Sequence, residues 1–273
     1  MSKNVMIKHM RKFLLSSLFL IGICELSAQH FEMGINLGGA NYFGDIAPTP
    51  LIGETNMAYG AFVRMNLSSS FAINTLITKG TISGDDKNST ATRVRNINFS
   101  TPITEYATWL EFNFFKFGVD ITDKKHSPYV FLGIALTQFD PTTLFDGKVI
   151  KLSNIRTEDV AYKTTAISIP FGMGYKWQFQ KHLALDFALG FRWAGSDYLD
   201  DVSTVYPDYE DVQRRKGALA AELSDPSRTQ NRGVPISDKG YRRGNPDFTD
   251  WYMFGTIGIS YRFYKNVRCR RFY

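Results

Sequence analysis

The residues able to do chemistry are few and scattered. Outside the first 28 residues the chain has three histidines, His30, His126 and His182, and one cysteine, Cys269. None of the histidines falls into a Ser/His/Asp arrangement or a metal-ligand spacing. Two carboxylate clusters stand out, Asp85-Asp86 and the run from Asp197 to Asp201 (DYLDD). Clustered carboxylates suit Ca²⁺, but neither has the alternating ligands and central Gly of a Ca²⁺ loop. Aspartates that hydrogen-bond their own loop backbone are the expected alternative. Eight charges form a different pattern: Glu32, Arg64, Glu105, Glu111, Lys176, Asp186, Arg192 and Arg262. Each lies in an otherwise apolar segment, on the parity opposite its hydrophobic residues. There are four of each sign, a balance that allows pairing away from water. The chemistry this predicts is internal ion pairing, with no catalytic residue, cofactor or metal site.

The segments that carry these charges alternate with a period of two. In residues 251–263 (WYMFGTIGISYRF), Trp251, Met253, Ile257, Ile259, Tyr261 and Phe263 share one face, and Thr256, Gly258, Ser260 and Arg262 the other. Residues 164–177 and 182–194 repeat the pattern. Five further segments complete a set of eight strands: 31–39, 57–67, 71–82, 103–115 and 128–138. Segment 71–82 is the least regular, because neither parity is cleanly apolar. Strands of this length fit a tilted crossing of a bilayer.

The connections between the segments run 40–56, 68–70, 83–102, 116–127, 139–163, 178–181 and 195–250, so long and short links alternate. Short turns at one end and long loops at the other describe an outer-membrane barrel. A soluble lipocalin-like barrel would turn its apolar face inward. The expected fold is therefore all-β: an eight-stranded antiparallel transmembrane (outer-membrane) β-barrel with long external loops. An eight-stranded barrel is narrow enough for side chains to fill, so a salt-bridged plug is expected in place of an open pore; for any single pair the alternative is charges that face water in a narrow lumen.

Composition agrees. The 273 residues include 22 Phe, 14 Tyr and 4 Trp, and no apolar run is long enough for a transmembrane helix. Trp193 and Trp251 fall at the external ends of their strands, Trp177 and Phe263 at the periplasmic ends, where interfacial aromatic girdles belong. Thr256, Gly258, Tyr261 and Phe263 in the last strand resemble the terminal signature read by the barrel assembly machinery.

Residues 1–28 read as a secretory signal. Lys3, Lys8, Arg11 and Lys12 precede an apolar stretch from Phe13 to Cys24, and Ser27-Ala28 precedes a cleavage site before Gln29. Residues 29–264 are then the barrel domain and 265–273 a basic periplasmic tail. Removing 1–28 takes four Lys/Arg and one Glu from a formal charge of +6, leaving +3. Lys265, Arg268, Arg270 and Arg271 alone exceed that, so the body is near neutral, which argues against nucleic-acid binding. The tail could meet an acidic periplasmic partner or anionic lipid headgroups.

The loop 195–250 exceeds ordinary lengths. Residues 209–223 could form a helix with Val212, Leu219 and Leu223 on one side. Tyr198, Tyr206, Tyr209 and Tyr241 suggest an ordered cap over the external mouth.

Several segments also resemble one family. They are Gly34-x-x-x-Gly38-Gly39-x-Asn41-Tyr42-x-Gly44-Asp45, Gly80-x-x-x-Gly84-Asp85-Asp86, Arg95-Asn96, Glu111 to Phe115, Pro128 to Gly133, Ile169 to Gly174, Asp197 to Ser203, Arg243-Gly244-Asn245 and Asp250-Trp251-Tyr252. In order and spacing, from about residue 31 to 263, they resemble the PorG-like outer-membrane β-barrel component of the type IX secretion system. The resemblance implies a non-enzymatic part of a secretion and gliding-motility machine. It further implies association with a periplasmic ring lipoprotein and its partner protein, and that the much larger export channel is a different barrel. The alternatives are a general structural or adhesive barrel and, behind it, a lipid-modifying outer-membrane enzyme. For the last, a Ser or Asp would have to meet His126 or His182, both at the periplasmic end and away from outer-leaflet lipid A.

Overall fold

The computed structural model describes residues 30–46, 52–89, 93–118, 123–230 and 239–263. Eight long strands form the barrel: β1 (His30–Phe43), β2 (Asn56–Asn66), β3 (Phe71–Asp85), β4 (Asn98–Asn113), β5 (His126–Phe139), β8 (Thr165–Gln178), β9 (Leu183–Ala194) and β10 (Trp251–Phe263). Between β5 and β8 lies a short hairpin, β6 (Thr142–Phe145) and β7 (Lys148–Lys151). Every pairing is antiparallel, and the β3–β4 pairing closes the sheet. The expected strands are all present, several longer than the alternation showed.

Register fixes the barrel geometry. From Leu37 on β1, the partners run through Tyr59, Lys79, Thr104 and Gln138 to Thr165 on β8. In the other direction they run through Ile257 and Phe187 to Tyr175 on the same strand. The two paths meet ten residues apart, which is the shear of the barrel. With eight strands, that shear tilts the strands by roughly 40–45° and advances each residue about 2.4 Å along the axis.

The wall is apolar outside and polar inside. Ile35, Met57, Leu132, Ile167, Met173 and Ile257 all face outward and are more than half exposed. Inside, the eight charges named above are each at most 6% exposed. A water-soluble fold would reverse this arrangement; a lipid-spanning barrel requires it. The irregular parity of β3 has a local cause. Thr75 and Lys79 face out among Phe71, Ile73 and Ile77, while Leu76 and Ile82 face in. Thr75 faces Thr108 of β4 in register, and their hydroxyls share a hydrogen bond of 3.1 Å, so neither lacks a partner on the lipid face.

The loops depart from expectation in length. β1, β3 and β4 extend into segments read as loops, so the links at 44–55 and 86–97 shrink to the length of the link at 114–125. The two tightest turns, 67–70 and 179–182, remain at the end where β1 begins and β10 finishes. Here that end is called the terminal end and the opposite one the loop end. No helix among the described residues is long and apolar enough to cross a membrane.

Candidate functional site: a plugged lumen under a latched mouth

The lumen is filled from the terminal end upward. Arg64 of β2 is its centre: it donates to Glu32 (3.1 Å) and reaches Glu111 (2.9 Å) and Asp186. Arg262 donates from Nε to Glu32 (2.8 Å) and Lys176 to Glu111 (2.5 Å). Three cations thus face three carboxylates drawn from six strands. Neutral donors complete the carboxylates: Asn66 to Glu32 (2.8 Å), Asn74 and Trp109 to Glu111 (both 2.9 Å), and the Tyr129 hydroxyl to Asp186 (2.7 Å). A buried charge is tolerable only with this degree of satisfaction.

Above this network the filling is aromatic. Trp109 stacks on Phe131 at 4.5 Å. The rings of Phe131 and Tyr129 pack where a Cβ on Gly172, Gly174 or Gly190 would stand, so these positions tolerate no side chain. Higher still, Arg192 pairs with Glu105 (3.1 Å) and lies over Phe254, and the Tyr252 hydroxyl donates to Glu105 at 2.7 Å. A void of about 20 Å³ lies in the lumen beside Asn36, Arg64, Asn74 and Asp186. That is space for about one water. Nothing of polypeptide size passes.

The mouth at the loop end is closed by residues of 195–230 and 239–250. Leu199 and Val202 are buried with Tyr42, Ile82, Phe99 and Phe139 of the barrel rim. The Thr101 hydroxyl donates to the Leu199 carbonyl at 2.6 Å. Asp200 accepts from its own loop through the Val202 amide (2.9 Å), but most bonds of the DYLDD run reach other segments. Asp201 accepts from Thr157 and from Tyr162, each at 2.5 Å. Asp200 and Asp250 both lie 2.6 Å from the Tyr42 hydroxyl oxygen. One phenol has one proton to donate, so the short contact to the second carboxylate requires a proton on that carboxyl. Burial pushes Asp200 well above the usual carboxylate range. Burial and then the charge of Asp200 do the same to Asp250. Burial also raises Asp201 to about 6 and Asp197 to about 7.

Arg95 bolts three loops together. It donates to Asp86 (2.7 and 2.9 Å), to the Asp45 carbonyl (2.9 Å) and to the Arg243 carbonyl (2.6 Å). Arg243 in turn donates to Glu158 (3.1 Å) and to the Asp201 carbonyl (2.7 Å). The glycines here mark close approach. A Cβ on Gly44 would strike the Tyr42 hydroxyl and Asp250, and one on Gly244 would strike Asp45 and the Ser203 backbone.

The expected single helix at 209–223 is two, Tyr209–Lys216 and Ala218–Ser224, broken at Gly217 with φ 92. The break rotates Leu219 outward (40% exposed), while Val212 and Leu223 stay buried. Tyr206 is buried in the cap and Tyr241 is exposed. The hairpin β6–β7, absent from the sequence reading, is joined by an Asp146-Gly147 turn with φ 48 and 72, a signal that could have revealed it.

Other candidate residues lie apart from these layers. Trp193 and Trp251 are register partners at the loop end. Trp177 and Phe263 face outward at the terminal end, with Tyr261 packed on Phe263 at 5.0 Å. Thr256 and Gly258 share the lumenal parity of β10, and Tyr261 faces outward. His126 lies between Phe115 and Tyr175, and the His182 ring packs on Tyr261. Among the described residues no group of three His, Cys, Asp or Glu is placed to hold a metal ion. Residues 1–28, read above as a secretory signal, and Lys265, Arg268, Cys269, Arg270 and Arg271 lie outside the described residues.

A closed eight-stranded antiparallel barrel with an apolar wall and a charged, plugged lumen has the fold of outer-membrane β-barrel proteins. Residues 11–222 match the family model described as a domain of unknown function (DUF6089), and the chain belongs to that family. No curated protein matches the sequence. Similar solved structures include Ail, the attachment invasion locus protein of Yersinia pestis, at 9% identity, covering 86% of this chain and 99% of that one with TM-score 0.42. Neisserial surface protein A is similar at 8% identity, 87% and 98% coverage and TM-score 0.43. The outer membrane protein OprG of Pseudomonas aeruginosa is similar at 8% identity, 87% and 96% coverage and TM-score 0.40.

Proposed function

We propose that this chain is a non-enzymatic outer-membrane subunit of the type IX protein secretion and gliding-motility machinery. In this reading both barrel termini are periplasmic, the loop end faces outward, and the subunit associates with the periplasmic lipoprotein-containing ring. The observation that carries the reading is a convergence. The loop segments behind the resemblance to PorG-like proteins are distant in sequence. Gly44-Asp45, Asp86, Arg95, Asp197 to Ser203, Arg243 to Asn245 and Asp250 nevertheless meet in one hydrogen-bonded knot at the loop end. Such a knot gives those residue types at those spacings a shared structural purpose.

The plugged lumen supports a structural role over a conducting one, since the void inside is the size of a water molecule. Deleting the gene tests the role. Loss of secreted cargo with an otherwise intact envelope is expected. Normal secretion with altered envelope integrity would instead favour a general structural or adhesive barrel.

A further inference from the structure

The charges at the two ends of the barrel are handled differently. At the loop end most basic side chains have carboxylate partners: Arg95 with Asp86, Lys151 with Asp140, Lys216 with Asp159, Arg243 with Glu158. At the terminal end Lys116, Lys124, Lys125 and Lys181 are all exposed, and none is paired with a carboxylate among the described residues. The same end holds one described carboxylate outside the lumen, Asp123, which accepts from Ser69 at 2.8 Å.

These lysines sit just beyond an aromatic girdle. Phe114 and Phe115 close β4, Trp177 and Phe179 close β8, and Phe263 closes β10, each between 37% and 57% exposed. Lys116 follows Phe115 directly, and Lys181 lies two residues past Phe179 in the turn to β9. Gln178, between Trp177 and Phe179, donates its backbone amide to the Lys125 carbonyl at 2.6 Å, which sets Lys125 at the level of those rings. Aromatic rings settle at the headgroup boundary, so the lysines reach phosphate depth. Lys124 already lies along this belt, its Nζ 4.0 Å from the Phe115 ring centroid. Ammonium groups without a carboxylate partner among the described residues suit an external anion, and at headgroup depth a lipid phosphate is the chemistry at hand.

We propose that Lys116, Lys124, Lys125 and Lys181 form a binding rim for anionic phospholipid headgroups in the leaflet at the terminal end. The rim would give the barrel a selective lipid annulus on one side and bias which end enters that leaflet. Depth favours lipid over an acidic protein, because the lysines lie beside outward-facing rings.

The full chain, released from mixed phosphatidylcholine and phosphatidylglycerol and read by native mass spectrometry, tests the proposal. Retained lipid should be enriched in phosphatidylglycerol by about fivefold or more, and the enrichment should fall with salt. The K116Q/K124Q/K125Q/K181Q variant should lose the enrichment while keeping the heat-modifiable gel shift of a folded barrel. The K148Q/K151Q variant at the loop end should keep it, as should a chain truncated after Phe263. Inorganic phosphate at millimolar concentration should not compete. Equal retention of both lipids by the unmodified chain would overturn the proposal, as would enrichment surviving in the quadruple variant. So would a folded quadruple variant that keeps its lipids but loses a copurifying acidic protein. Should the quadruple variant fail to fold, the K124Q/K181Q pair is expected to show a partial loss, and unchanged enrichment there would overturn the proposal equally.

Discussion

At the residue scale, Arg64 is the side chain on which the lumen depends most. It touches three carboxylates, and it is 1% exposed. Removing one partner of a buried ionic network costs about 3–5 kcal/mol, because the remaining charges stay buried without compensation. The Arg64→Met variant should therefore lower barrel stability by that order in a denaturant titration followed by gel shift. A loss below about 1 kcal/mol would mean that water penetrates the lumen and screens the network. The aspartates of the mouth make the opposite kind of prediction. Burial raises Asp197, Asp200, Asp201 and Asp250 in the closed cap, whereas an opened cap returns them to the ordinary value near 4. The closed cap then holds more protons than the open one. Closure is strongest in acid and weakens as pH rises through about 6 for Asp201 and about 7 for Asp197, with Asp200 and Asp250 adding to the loss. Asp45 and Glu158 add repulsion to this group, and Arg95 and Arg243 oppose it. Amide exchange in 195–225, corrected for intrinsic rates, should show protection falling between pH 5.5 and 8.5, and falling less in Asp200→Asn. Protection that is flat or rising with pH would contradict the assignment.

At the element scale, the sequence is most legible where one rule governs. Lipid outside and a charged plug inside impose a period of two on every strand, so the strands and the orientation of Arg64, Lys176 or Arg262 can be found by parity. The rule weakens in β3, where Thr75 and Thr108 satisfy each other across the register. It fails past the wall, where β1, β3 and β4 continue into the cap and apolar residues such as Tyr42 and Phe99 turn inward instead of outward. The knot around Tyr42, Asp200 and Asp250 was not legible, because its members are up to 208 residues apart and only closure of the barrel brings them together. Gly217 alone, within 209–223, signals the break between the two cap helices. Deleting 209–235 should impair secretion while leaving the barrel in the membrane, as read by fractionation and cargo assay. Normal secretion would remove the cap from the functional account. In β10, Phe263→Ala should reduce the amount of assembled barrel severalfold, if Thr256, Gly258, Tyr261 and Phe263 are the segment the assembly machinery reads. Unchanged assembly would show that the match is incidental.

At the scale of the whole molecule, the barrel is a sealed cylinder whose two ends differ. The loop end is an ordered knot of buried acids, and the terminal end is a rim of aromatic rings and exposed lysines. A cylinder with a plugged lumen and a latched loop-end mouth suits the proposed role of holding other components at the membrane. The most direct test is copurification. A tagged full-length chain, solubilised mildly from the native envelope, should bring down the periplasmic ring lipoprotein of the secretion machine in amounts comparable to the barrel itself. Recovery of the barrel in good yield with no ring lipoprotein, from cells that contain the assembled ring, would contradict the account.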